Sequence, residues 1–184
     1  VVFQLHSQAS LSYLNSPIKK AIFKLVLSPA HLLFVLTPWW KNQIAGVFSA
    51  NKIQIIPNPV SSTLLDLPKK QIQGEEKEIK IIAMSRLVAG KGFEEVISAM
   101  QKLDEHYSLE IAGDGPLKRQ LEKQVIALKL EKRVKFLGWI DAKEKIARLT
   151  SADVFCLPSM NDSFGMVYIE AMACQLPVVA LNFG

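Results

Sequence analysis

The sequence predicts an α/β fold whose main sheet is parallel and doubly wound, on three observations. Apolar runs of strand length alternate with amphipathic stretches of about 10 to 15 residues. Several of those stretches open with a cap residue and a proline. Residue types suited to ligand chemistry fall just after the strands, where such sheets bind their ligands. With 49% hydrophobic and 21% charged residues, a chain of 184 has ample apolar material for a core. The length fits one domain, or one domain and a piece of another.

Residues 1 to 60 read as strand, helix, strand, helix, strand. "VVFQL" is the first strand. In "SPIKKAIFKLVL", Ser16 is a candidate N-cap and Pro17 takes the first helical position, where a missing N–H costs nothing. "HLLFVLT" is a buried-type strand, and "TPWWKNQIAGVF" repeats the cap signal with Thr37 and Pro38. "IQIIPNPV" is a short strand ended by prolines. Residues 61 to 78, "SSTLLDLPKKQIQGEEKE", lose periodicity and have the composition of a surface connection between two domains.

From residue 79 the rhythm is regular. "IKIIAMSRL" is a strand, and "FEEVISAMQKLD" places Phe93, Val96, Ile97, Met100 and Leu103 on one helical face. "YSLEIAG" is the next strand. "PLKRQLEKQVIALKL" opens with Pro116 and aligns Leu117, Leu121, Val125 and Leu128. After the strand "VKFLGW", the helix "DAKEKIARLTSA" has Asp141 and Glu144 at capping-box spacing. "DVFCLPS" is the fourth strand, "NDSFGMVYIEAMACQL" supplies a helix, and "PVVAL" is the fifth strand. Val1 lies inside a strand and Gly184 directly follows one, which predicts a fragment of something longer; the lack of a leader sequence then carries no weight.

The formal charge of +5, from 22 Lys and Arg against 17 Asp and Glu, suits anionic partners such as phosphorylated metabolites or acidic lipid. No dense basic block points to nucleic acid. Cys156 and Cys174 lie in apolar runs without metal-ligand spacing and read as buried reduced thiols. The most apolar region, 21 to 40, is broken by Lys24, Pro29, His31 and Pro38, so it lacks the roughly 20 clean residues of a membrane span. In the first helix, Lys19, Lys20 and Lys24 lie near one flank, with Ile18, Ile22, Leu25 and Val26 on another side. Two readings stand: Ile22, Leu25 and Val26 pack on the sheet, or an apolar edge and the lysines meet lipid, near Trp39 and Trp40.

Three loops carry candidate chemistry. In "SRLVAGKGF", Arg86 and Lys91 can neutralise a diphosphate beside small residues that let backbone approach it, or are two solvated charges. "GDGPLK" has G-x-G, but Lys118 stands where a dinucleotide fingerprint needs its third glycine; a tight turn is the better reading. "NDSFGMVYIE" offers Asp162 or Ser163 as a cap, Gly165 for close backbone approach, and first-turn N–H groups for an anion. Glu170, about 10 Å along the axis from Ser163 and leaning back, then reaches a neighbouring ribose. A capping Asp with a surface Glu is the alternative, though core-like Ile169, Ala171, Met172 and Ala173 surround Glu170.

In order and spacing, "SRLVAGKGF", "IAGDGPLKRQL", "VKFLGWI" and "ADVFCLPSMNDSFGMVYIEAMACQLPVVA" resemble the C-terminal half of glycosyltransferase family 4 enzymes, which have the two-domain GT-B fold. The resemblance implies that 1–60 ends an N-terminal, acceptor-side domain and that 79–184 is a truncated domain binding a nucleotide-sugar donor. It implies transfer of a sugar, with retention, to a hydroxyl on a glycan, lipid-linked or polysaccharide acceptor in cell-envelope synthesis. Arg86 and Lys91 match the family's diphosphate-binding cations, and Glu170 matches its ribose-holding glutamate. Asp162 takes the place of the other glutamate, near the donor sugar, one methylene shorter. Phe164, Gly165 and the N–H groups of Met166 and Val167 fall at the distal phosphate, and Trp139 and Ile140 at the base. His6 falls where many members place a histidine on the acceptor side. Ser85 departs from the family's frequent glycine.

No D-x-D metal motif is present, so neither metal nor cofactor is expected. The expected location is cytoplasmic, peripheral at the inner face of the membrane. The alternatives are a GT-B sugar-nucleotide epimerase or phosphorylase, or a non-catalytic nucleotide-sugar-binding module.

Overall fold

Among the described residues, eight strands form two sheets in which every pairing is parallel. The computed structural model describes residues 1–5, 8–65, 78–160, 162 and 164–182. These fall into two compact units: those within 1–59 with Asp162, Phe164 and Gly165, and those within 60–160 with 166–182.

In the first unit, β1 (Val2–Gln4), β2 (Leu32–Val35) and β3 (Ile53–Ile55) lie side by side in chain order. Between β1 and β2 come a 3-10 helix, Gln8–Asn15, which the sequence pattern did not announce, and α1 (Pro17–Leu27). Ser16 has the extended backbone of an N-cap but its hydroxyl makes no capping bond, so Pro17 alone preorganises the first turn. Helix α2 (Pro38–Ile44) is capped as expected: the Thr37 hydroxyl accepts the Trp40 N–H at 3.3 Å. The core holds Phe23, Leu27, Leu33, Val35, Trp40, Ile44, Val47 and Ile53.

The packing of α1 corrects the expectation that Ile22, Leu25 and Val26 cover the sheet. Phe23 and Leu27, four apart, face inward instead. Among the described residues, this pair, with its one bulky ring, fills the stripe that α1 buries. Ile18, Ile22, Leu25 and Val26 are thereby turned to solvent, with Leu25 72% exposed. Trp40 is buried and Trp39 exposed.

The second unit has β4 (Ile79–Met84), β5 (Tyr107–Ala112), β6 (Val134–Gly138), β7 (Val154–Leu157) and β8 (Val178–Ala180), ordered β6-β5-β4-β7-β8. The chain winds outward from β4 to β6, then returns to β4's other side. Such a reversal opens a crevice at the carboxyl ends of the strands. Its helices are α3 (Ser62–Leu65), α4 (Phe93–Met100), α5 (Lys118–Ala127), α6 (Ala142–Ser151) and α7 (Met166–Ala173).

Helix α4 inserts Phe93, Val96, Ile97 and Met100 into the core, with Leu103 half-buried just beyond its end. Full burial of such side chains contributes about 1.5–3 kcal/mol each. Leu64 of α3 is also buried in this core, so the stretch expected to be a surface connection begins with a packed turn; residues 66–77 of it lie outside the described residues.

Two helix starts differ from expectation. Pro116 does not open α5, which begins at Lys118; it sits in a turn where the Leu117 N–H donates to the Leu87 carbonyl at 3.0 Å. Only half of the capping box forms on α6. The Asp141 carboxylate accepts the Glu144 N–H at 2.8 Å, but Glu144 turns instead to Arg148, 3.1 Å away. Arg148 also bonds Glu110 on β5 at 3.0 Å, tying helix to sheet. Its guanidinium is raised above its ordinary pKa mainly by the bond to Glu144 and by the charge of Glu110, with burial opposing. Cys156 and Cys174 are free thiols, half-buried and buried.

Candidate functional site

A cavity of about 340 Å³ opens where β4, β5 and β6 end, walled by the loops that follow them and by α6 and α7. Backbone hydrogen bonds hold two of its bordering segments together. The Leu87 N–H donates to the Asp114 carbonyl at 2.9 Å and the Ser85 N–H to the Ala112 carbonyl at 3.2 Å, clamping the loop after β4 to the loop after β5. Gly113 and Gly115 make that approach possible at φ of 138° and 157°; a Cβ on Gly113 would lie 1.9 Å from the Ser85 carbonyl oxygen, and one on Gly115 2.5 Å from that of Leu87. The sequence reading of this loop as a tight turn describes its backbone but missed that Gly113 and Asp114 line a cavity.

Arg86 stands in the wall, exposed, at the end of β4. Lys91, expected beside it, is buried to 8% exposure and is not among the described lining residues. Its loop is held down: the Gly90 carbonyl accepts the Met160 N–H at 2.8 Å and the Ser159 hydroxyl at 3.4 Å. Trp139 and Ile140, in the turn after β6, both line the cavity, and Trp139 is 76% exposed.

Met166 and Val167, the first residues of α7, line it too, and Glu170 follows one turn deeper. Helix α7 is set by Tyr168, whose hydroxyl donates to the Leu157 carbonyl at 2.8 Å and whose ring meets Phe155 edge-on at 5.5 Å. The sequence missed Lys145. One turn inside α6, it lines the cavity and its ammonium pairs with Glu170 Oε1 at 2.5 Å. Its only signal was position, four residues past the Asp141 cap of a helix that follows a strand end.

Burial pushes the Cys174 thiol up, the Glu170 charge adds to the rise and Lys145 offsets part of it. Burial raises Cys156 as well. Neither is poised as a nucleophile.

Asp162 and Phe164 are half-buried and Gly165 is buried; they group with the first unit. His6 lies outside the described residues. The second unit thus brings together Arg86, Trp139, Ile140, Met166, Val167 and Glu170 of the expected set. A depression of about 410 Å³ on the outer side of α4, among Glu94, Glu95, Ser98 and Lys102, has no comparable convergence of groups.

Residues 67–184 match the family described as glycosyl transferases group 1. An uncharacterized glycosyltransferase of Methanocaldococcus jannaschii is 31% identical over 157 residues, 78% of this chain and 40% of that protein. The sulfoquinovosyl transferase of Arabidopsis thaliana is 32% identical over 76% of this chain and 28% of its own length. The crystal structure of HepE from Anabaena in complex with UDP and glucose superposes with a TM-score of 0.80 and 25% identity, covering all of this chain and 53% of that one. This chain therefore spans about half or less of the proteins it matches. Its parallel sheets, the strand-end cavity and the family match over most of its length agree: the fold is of the GT-B type, and the chain belongs to the glycosyl transferases group 1 family.

Proposed function

We propose that the chain holds the donor in an enzyme that moves a sugar from a nucleoside diphosphate to a hydroxyl, with retention of configuration. One observation carries this: a cation, the first turn of a helix and a carboxylate one turn further along that helix line one cavity. Arg86 and the α7 N–H groups suit a diphosphate, since helix starts favour anions. Glu170 lies four residues beyond Met166, about 6 Å along the axis, within reach of the adjoining ribose. Trp139 offers an exposed ring to the base. HepE, crystallised with UDP and glucose, makes uridine diphosphate the first donor nucleotide to test.

In this mechanism the bond from anomeric carbon to phosphate oxygen breaks through an oxocarbenium-like state. The acceptor oxygen bonds to the same face, and its proton passes to the leaving phosphate oxygen. Arg86 and the α7 terminus stabilise the growing charge. The resemblance supplies the remaining proposed roles: Asp162 at the donor sugar, Phe164 and Gly165 at the phosphate end, and His6 on the acceptor side. No metal ion takes part, so turnover persists in chelator.

The proposed acceptor is a glycan or lipid-linked hydroxyl at the cytoplasmic face of a membrane. The exposed apolar side of α1, beside Lys19, Lys20 and Lys24, supports a peripheral contact with anionic lipid. Among the described residues, no helix is long and apolar enough to cross a membrane.

Labelled nucleotide-sugars turned over by the full-length protein, with and without acceptor, test the reading. Transfer only with acceptor supports it. Isomerised donor without acceptor marks an epimerase, phosphate-dependent cleavage a phosphorylase, and binding without turnover a binding module.

A further inference from the structure

We propose that Lys145 is a positioning residue that aims Glu170 and so sets the preference of the cavity for a ribose over a deoxyribose; this rests on the donor reading above. Glu170 is the one charged residue in α7, and its side chain is only 16% exposed. Among the described residues its carboxylate has one hydrogen-bond partner, the Lys145 ammonium on Oε1. Oε2 is left over, on a group that lines the cavity. The ammonium, 31% exposed, comes from a different helix and lines the same wall.

A carboxylate can rotate about its last bond and settle in several orientations. With one oxygen held, the other points in one direction and accepts from a hydroxyl without first losing that freedom. The pair also keeps a bare negative charge from facing the diphosphate across the cavity. Of the other ionic groups of α6, Glu144 pairs with Arg148 and Arg148 with Glu110, while Lys143 is exposed and is not among the described lining residues, so Lys145 is the cation α6 gives to this wall.

The test uses full-length protein and whichever of UDP, ADP, GDP and CDP raises its melting temperature most, with that nucleotide's 2′-deoxy and 3′-deoxy forms. The parent is expected to prefer the ribonucleotide by roughly tenfold or more over at least one deoxy form, the size of a hydrogen bond to a carboxylate. Lys145→Met should shrink that preference to about threefold or less. Lys145→Arg should restore it, and Lys145→Met combined with Glu170→Gln should lose nothing beyond Glu170→Gln alone, as coupled residues do. A merely structural bridge between α6 and α7 would lower the melting temperature and leave the ratio unmoved. The inference is overturned if Lys145→Met keeps the parent's preference, or weakens ribo and deoxy forms by one common factor. A parent that binds none of the four nucleotides overturns the donor reading itself, and this inference with it.

Discussion

Helix α1 of the first unit leaves Ile18, Ile22, Leu25 and Val26 in solvent, beside three exposed lysines. Helix α7 of the second is apolar but for Glu170, which it keeps mostly covered at the wall of a cavity. Both read as apolar helices packed on a parallel sheet. The difference lies in what each packs against. Among the described residues, α1 enters the core of the first unit through Phe23 and Leu27 alone. Helix α7 is fixed by Tyr168 and Ala171 to a five-stranded sheet, and its register carries Glu170 to the strand-end crevice. Apolar content does not tell which side of a helix is buried; the sheet beneath it decides.

The comparison breaks most readily at α1. Phe23→Ala is expected to destabilise by about 3–5 kcal/mol, whereas Leu25→Ala should change stability by no more than about 0.5 kcal/mol. Urea unfolding followed by tryptophan emission, with Trp40 buried in that core, reads both. Similar losses from the two would mean that Leu25 is covered after all.

At the cavity, Arg86→Ala should weaken nucleoside diphosphate binding by about 1.5–3 kcal/mol and leave nucleoside binding nearly intact. Calorimetry with both ligands decides it, and equal losses would remove the phosphate assignment.

The two helix starts sharpen the contrast further. Asp141 makes a capping bond and Ser16 makes none, so Asp141→Ala should cost about 1 kcal/mol and Ser16→Ala much less. Thermal melts of the two variants that shift alike would contradict this.

The smallest effect on stability belongs to the lysines. Changing Lys19, Lys20 and Lys24 together to Gln should leave the melting temperature within about a degree, because all three are exposed. It should nevertheless reduce pelleting with anionic vesicles at low salt, each lysine contributing about 1 kcal/mol near such a surface. Vesicle binding equal to the parent's, or none by either protein, would end the membrane proposal and leave the transferase proposal standing.

Much of the second unit was legible because local and global signals agree there. Its five strands appear where alternation put them, and Phe93, Val96, Ile97 and Met100 pack as their spacing indicated. Arg86 and Glu170 were found because their segments follow strand ends, and Trp139 because its turn resembles the family's. Pairings across the fold were not legible. Lys145 meets Glu170 across 25 residues, and no periodicity links them. The burial of Lys91 was hidden too, since a lysine between two glycines reads as an exposed loop residue. The face of α1 was misread because Phe23 and Leu27 compete with four other apolar residues for one buried stripe.

The main-chain clamp at Gly113 and Gly115 has a consequence for descent. Its contour comes from one loop's amides meeting another loop's carbonyls, so it does not depend on which side chains stand around it. Trp139, Lys145 and Arg86 take no part in these backbone bonds, so changing one of them leaves the bonds' partners in place. The two glycines themselves have no such latitude, because any side chain at either would part the loops. Variation is thereby easier at the walls than at the clamp.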